Sequence, residues 1–146
     1  MIIPFEKMYD GVQTPMHAHY DDAGYDLFIP ANSFKHDIFT LHPHQTLKIP
    51  MGLKLHLSQG VMALTMPRSS LSREGIVTQI PPIDAGYTGE INVMVTNTTK
   101  FDFVLHSEDR ICQLVFIPII NPQLISLDDF NKLPTRNDNG FGSTGI

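Results

Sequence analysis

Apolar residues in this chain fall into short runs: Thr46 to Ile49, Leu53 to Leu57, Val61 to Met66, Ile91 to Thr96, Phe101 to Leu105 and Ile111 to Ile117. Those are strand lengths, and turns containing Asn, Pro, Gly or Ser separate them. Eleven prolines and ten glycines are spread along the sequence, which leaves little room for helices of ordinary length. The pattern predicts an all-β sandwich or barrel with at most one short helix. That helix is predicted at Ser69 to Glu74, where Ser69 or Ser70 can cap a turn that Gly75 ends. From Asn121 to Asn139 the chain is polar and carries Pro122 and Pro134, so it reads as a connector. It leads to a terminal Gly140-Phe141-Gly142-Ser143-Thr144-Gly145-Ile146 without apolar periodicity.

A chain of 146 residues with 42% hydrophobic and 17% charged residues fits one domain with one core. We divide it into an all-β domain over 1–130 and a mobile arm over 131–146. The longest apolar stretch, Ile111 to Ile120, is broken by Gln113 and Pro118, far short of the roughly 18 residues of a membrane span. The first residues have no basic segment followed by an apolar one, so a cytoplasmic location is expected. A single cysteine, Cys112, excludes an intramolecular disulfide. The net charge of −5 argues against a nucleic-acid surface and confines any phosphate site to a local patch.

Five stretches place polar residues or glycine where a strand core wants apolar side chains. In Ala23-Gly24-Tyr25-Asp26-Leu27, Asp26 can satisfy a turn, hold a hydrated metal or orient an arginine. Pro67-Arg68-Ser69-Ser70-Leu71 joins a guanidinium and two hydroxyls at a helix start, a set suited to an anion as well as to a plain cap. Ile83-Asp84-Ala85-Gly86-Tyr87-Thr88-Gly89 sets an acid and an aromatic in a tight turn. In Glu108-Asp109-Arg110-Ile111-Cys112-Gln113-Leu114, Gln113 interrupts an apolar strand and must find partners for its amide. The tail, with Arg136 upstream, offers backbone donors, hydroxyls and the flat face of Phe141. Seven histidines include the pairs His17 with His19 and His42 with His44. A third ligand is needed to make either a metal site, and these read as solvated loop residues.

Taken in order, the five stretches resemble the motifs of the homotrimeric dUTPase family: A-G-x-D-L, P-R-S-x-L, I-D-x-x-Y-x-G, D-R-x-x-Q-L and R-(x)-G-F-G-S-T-G. The resemblance runs from Ala23 to Gly145. It implies a jelly-roll-like β fold, a trimer with shared sites, and hydrolysis of dUTP to dUMP and pyrophosphate with Mg2+. That activity keeps uracil out of DNA and supplies dUMP for dTMP synthesis. By resemblance Asp84 is the catalytic carboxylate, holding the sugar 3′-hydroxyl and the water that attacks the α-phosphorus. Tyr87 packs under the deoxyribose and excludes a 2′-hydroxyl. Arg68, Ser69, Ser70 and Gln113 bind the phosphates, and Arg136 grips the terminal one. Phe141 stacks on uracil while Gly142, Ser143 and Thr144 close over the triphosphate. Mg2+ is held mainly by the phosphates, with Asp26 as an outer-shell ligand through water.

The sequence departs from that family in two places. Where the uracil hairpin usually has glycine or asparagine, this chain has Thr78-Gln79-Ile80-Pro81-Pro82, and prolines cannot donate N–H groups. Uracil recognition then falls to the backbone of Ile80 and its neighbours, among them Ile83, with the Gln79 amide. Ser70-Leu71-Ser72-Arg73 replaces Gly-Leu-Ala, which resembles the related dCTP deaminases. Those need a water-activating glutamate at the position of Met94, and a thioether cannot move protons. A noncatalytic nucleotide-binding regulator on the same fold is the remaining alternative.

Overall fold

The computed structural model describes residues 1–133. Arg136, Phe141, Gly142, Ser143, Thr144 and most of the 131–146 arm therefore lie outside the described residues. In chain order the strands are β1 (Phe5–Lys7), β2 (Tyr25–Phe28), β3 (Ile38–Leu41), β4 (Thr46–Pro50), β5 (Leu53–Leu55) and β6 (Val61–Pro67). Then come β7 (Ile76–Thr78), β8 (Pro82–Ile83), β9 (Asn92–Asn97), β10 (Phe103–His106) and β11 (Arg110–Pro118). All pair antiparallel, in sheets ordered β2-β11-β6-β8, β4-β9-β7, β1-β5 and β3-β10. This is the all-β class that the short apolar runs predict, jelly-roll-like as the resemblance implies.

Period-two alternation decides what each strand buries. On β6 the side chains of Val61, Ala63 and Thr65 point inward, and on β9 those of Val93, Val95 and Asn97 do the same. All four sheets feed one core, which joins Leu27, Ile49, Val93, Leu105, Ile111 and Leu114, each at most 1% exposed. Each such side chain is worth about 1.5–3 kcal/mol relative to exposure. Asn97 is the polar member of the β9 face and is fully satisfied. Its amide donates to Leu41 O and Phe101 O at 2.9 and 2.8 Å, and its Oδ1 accepts from Thr99. It thereby ties the β3 end to the β9–β10 turn.

Two helical details differ from the sequence reading. Helix α1 (Ser69–Arg73) forms as predicted, and Gly75 follows its C-cap at φ +77°. Its N-cap, however, is Arg68, with no side-chain cap, so Ser69 and Ser70 are the first helical residues and not caps. A second helix, α2 (Leu127–Phe130), lies in the stretch read as connector, and a 3-10 turn spans Lys35–Asp37, so at most one helix was too few. The cause of α2 is local: Ser126 Oγ accepts from Asp129 N at 3.1 Å, and two aspartates occupy the first turn.

Candidate active site

The chemistry-bearing residues gather at two places that strand β6 connects. Along its first five residues, β8 and the turn after it wall a cleft of about 260 Å³ lined by Thr65, Pro81, Ile83, Asp84, Tyr87 and Glu90, among others. Asp84 is exposed and starts a turn closed by Tyr87 N–H donating to Asp84 O at 3.1 Å; Gly86 stands in it at φ +87°. The Tyr87 hydroxyl donates to Glu90 O at 3.0 Å, which folds the ring back over the turn. Gly89 leaves the space: a Cβ there would stand 2.9 Å from Tyr87 Cε2 and nearer still to the hydroxyl end. Ile83 lines the cleft, is 7% exposed and belongs to the core.

The hairpin between β7 and β8 is braced just before its prolines. Gln79 N–H donates to Met94 O at 3.0 Å, and the Thr65 hydroxyl donates to Gln79 O at 3.4 Å. Both backbone groups of Gln79 are thus engaged. Pro81 and Pro82 reach the cleft, whereas the exposed Gln79 and Ile80 are not part of its lining.

At the other end, Asp26 is 2% exposed and lies among three donors. Arg110 Nη1 and Gln113 Nε2 donate to its two oxygens at 3.2 and 3.3 Å, and Arg68 Nε stands 3.5 Å from Oδ1. Arg68 also donates to Arg110 O at 2.9 Å. A buried carboxylate is tolerated only with such compensation. Arg110 reaches it because of a bulge: the β2–β11 register slips by one residue between Arg110 and Cys112. On a regular strand, residues 110 and 113 face opposite sides; one extra residue puts both on Asp26. Gly24 lets β2 cross Gln113 closely, since a Cβ there would be 3.0 Å from Gln113 Cβ. Burial, with the Asp26 charge adding and Arg68 opposing, pushes the Cys112 thiol up from 9.0 to about 12.

Sequence reasoning named Asp26, Arg68 and Gln113 separately, and the fold brings them together. It missed Arg110 as a partner of Asp26, although the odd R-x-x-Q spacing within one strand is the signal of a bulge. It also missed Glu90 and Thr65. Ser69 and Ser70 are exposed beside Arg68 on α1. Among the described residues no group of three His, Cys, Asp or Glu side chains is placed to hold a metal. None of their helices is long and apolar enough to cross a membrane.

The family model "dUTPase" matches residues 10–145. A deoxyuridine 5′-triphosphate nucleotidohydrolase of Nitrosospira multiformis is 37% identical over 137 residues, covering 91% of this chain and 89% of the relative. Its counterpart in Burkholderia lata is 40% identical over 110 residues, 73% and 74% of the two chains. Among solved structures, a dUTPase variant of Staphylococcus bacteriophage 80alpha with dUpNHpp superposes with a TM-score of 0.78 at 22% identity, covering 99% of each chain. The dUTPase of phage phi11 of S. aureus, described with a structural Mg(II) ion, gives 0.77 at 21% identity over 88% and 97%. With the match running through both ends of β6 and into the tail, the chain belongs to the dUTPase family.

Proposed function

We propose that the protein hydrolyses dUTP to dUMP and pyrophosphate in the cytoplasm, as a homotrimer with shared active sites. The observation that carries the reading is the division of the motif residues between the two ends of β6. Ala63 pairs with Ile83, so Asp84 lies level with Met62, six residues from Arg68. At the rise of a strand that is about 20 Å. A backbone separation of that size disfavours a nucleotide that places its α-phosphorus at Asp84 while its phosphates meet Arg68 of the same chain. Sites built between chains remove the conflict, the Asp84 end of one chain facing the Arg68 end of another.

In such a site Tyr87 lies under the deoxyribose and Asp84 accepts hydrogen bonds from the 3′-hydroxyl and a water. As the water oxygen bonds to the α-phosphorus, Asp84 takes its proton and the bond to the bridging oxygen of the leaving pyrophosphate breaks. Arg68, Gln113 and the exposed Ser69 and Ser70 hold the phosphates, while Asp26 fixes the Arg68 and Gln113 head groups. Arg136, Phe141, Gly142, Ser143 and Thr144 complete the enclosure by resemblance. Asp26 is 2% exposed with its two oxygens engaged by Arg110 and Gln113, so it does not fit a direct metal bond, and a Mg2+ would arrive on the triphosphate and be held by it. When bound, the ion holds the triphosphate and offsets charge on the leaving group.

The test is direct assay of the full chain with Mg2+ and dUTP, dCTP or UTP. Pyrophosphate and dUMP from dUTP are expected. Ammonia released from dCTP would replace this reading with a deaminase, and tight dUTP binding without turnover would replace it with a regulator.

A further inference from the structure

Glu90 lines the same cleft as Tyr87 and makes more ordered contacts than a surface turn needs. Its carbonyl accepts two donors, the Tyr87 hydroxyl at 3.0 Å and Asn92 Nδ2 at 2.8 Å. Its carboxylate accepts Gly52 N–H at 2.7 Å, in a half-buried position. Gly52, at φ +64°, is wedged under Tyr9: a Cβ on it would be 2.9 Å from Tyr9 Cζ. Gly52 N–H also sits between two strand ends, because Met51 N–H donates to Ile91 O and Ile91 N–H to Leu53 O, at 2.9 and 2.8 Å. The chain of contacts therefore runs from the rigid β4–β5 turn through Glu90 to the phenol of Tyr87. The ring is held at one end by its hydroxyl, and Gly89 beside that end leaves no room for a side chain that would displace it.

We propose that Glu90 is a positioning residue for sugar selectivity: it moors the Tyr87 ring to the β4–β5 turn, so that the wall under the sugar cannot retreat from a 2′-hydroxyl. The inference rests on the reading of Tyr87 as that wall. Steric rejection of one added hydroxyl works only against a wall that cannot yield, and an unmoored ring would turn aside. The carboxylate matters as an acceptor and not as a charge, so glutamine should replace it and alanine should not.

The experiment compares kcat/KM for dUTP and UTP in the unchanged protein, Glu90→Ala, Glu90→Gln and Gly89→Ala, with ring-13C-labelled tyrosine spectra of each. The chain has four tyrosines, which makes the Tyr87 signal assignable. Glu90→Ala and Gly89→Ala are expected to lower the dUTP-to-UTP preference about tenfold, mainly through better use of UTP, while Glu90→Gln keeps it. In Glu90→Ala the Tyr87 ring signals should move toward those of a free tyrosine. Should Glu90→Ala not fold, Glu90→Asp shortens the same side chain away from Gly52 N–H and carries the same expectation. Hydrolysis of dUTP with an unchanged preference in Glu90→Ala overturns the mooring and leaves the dUTP reading standing. A protein that turns over neither nucleotide overturns the dUTP reading; unchanged Tyr87 signals in Glu90→Ala then overturn the mooring on their own.

Discussion

Asp26 and Asp84 are the same side chain in opposite circumstances. Asp26 is sealed among Arg68, Arg110 and Gln113, whereas Asp84 is exposed on its turn beside Tyr87. A carboxylate whose oxygens are spoken for can align cations, and one open to a cleft can accept a proton. Asp84→Asn is therefore expected to cut kcat about 10²–10⁴-fold while dUTP still binds, as measured by steady-state kinetics and calorimetry. Wild-type-like turnover would exclude Asp84 as the base. Cys112 makes a second prediction at this scale. With its pKa raised from 9.0 to about 12, the fold favours the neutral thiol. That contribution to stability is complete below pH 9 and is lost as pH climbs toward 12. A thiol reagent at pH 8 should label the protein only after denaturation, and the urea midpoint should fall above pH 9 more steeply than in Cys112→Ala. Both residues were legible as types; their opposite environments were not, because burial of Asp26 depends on a strand more than eighty residues away.

The strand pair β2–β11 shows what an element adds to its residues. Its one-residue bulge converts R-x-x-Q into a pair of donors on a single face, and Gly24 clears the crossing point. Asp26→Asn should destabilise the fold by about 3 kcal/mol, the low end for a broken buried pair, because Arg110 remains half exposed. Urea unfolding measures it. Gly24→Ala should cost about 1–3 kcal/mol through overpacking against Gln113 and Val115. Strands carried by long apolar runs, β6, β9 and β11, were legible in the sequence within a residue or two. The runs Leu53 to Leu57 and Phe101 to Leu105 also located the short β5 and β10, whereas β1, β3, β7 and β8 were not read, since so few residues hold little period and owe their conformation to a partner strand. The same limit hid α2, whose cap carries it more than any apolar face.

For the whole molecule, the buried core among the described residues spans Val12 to Leu114. Protein ending at Thr135 should keep its thermal midpoint and lose most of its activity; an unchanged rate would show that Arg136, Phe141 and the residues after it take no part. Assembly of sites between chains has a sharper signature. Arg68→Ala and Asp84→Asn, each inactive alone, should recover activity when unfolded and refolded together, because some sites in the mixture then combine an intact Arg68 with an intact Asp84 from different chains. No recovery would mean that each site draws both residues from one chain. The distance along β6 carries a further consequence for rate. Seven residues of strand act as a ruler that holds the two ends of the chemistry apart. If sites form between chains as proposed, an isolated chain would own the edges of two sites and the whole of none, and turnover per chain should climb with protein concentration until assembly saturates. Dilution alone would then silence the enzyme, with no inhibitor required.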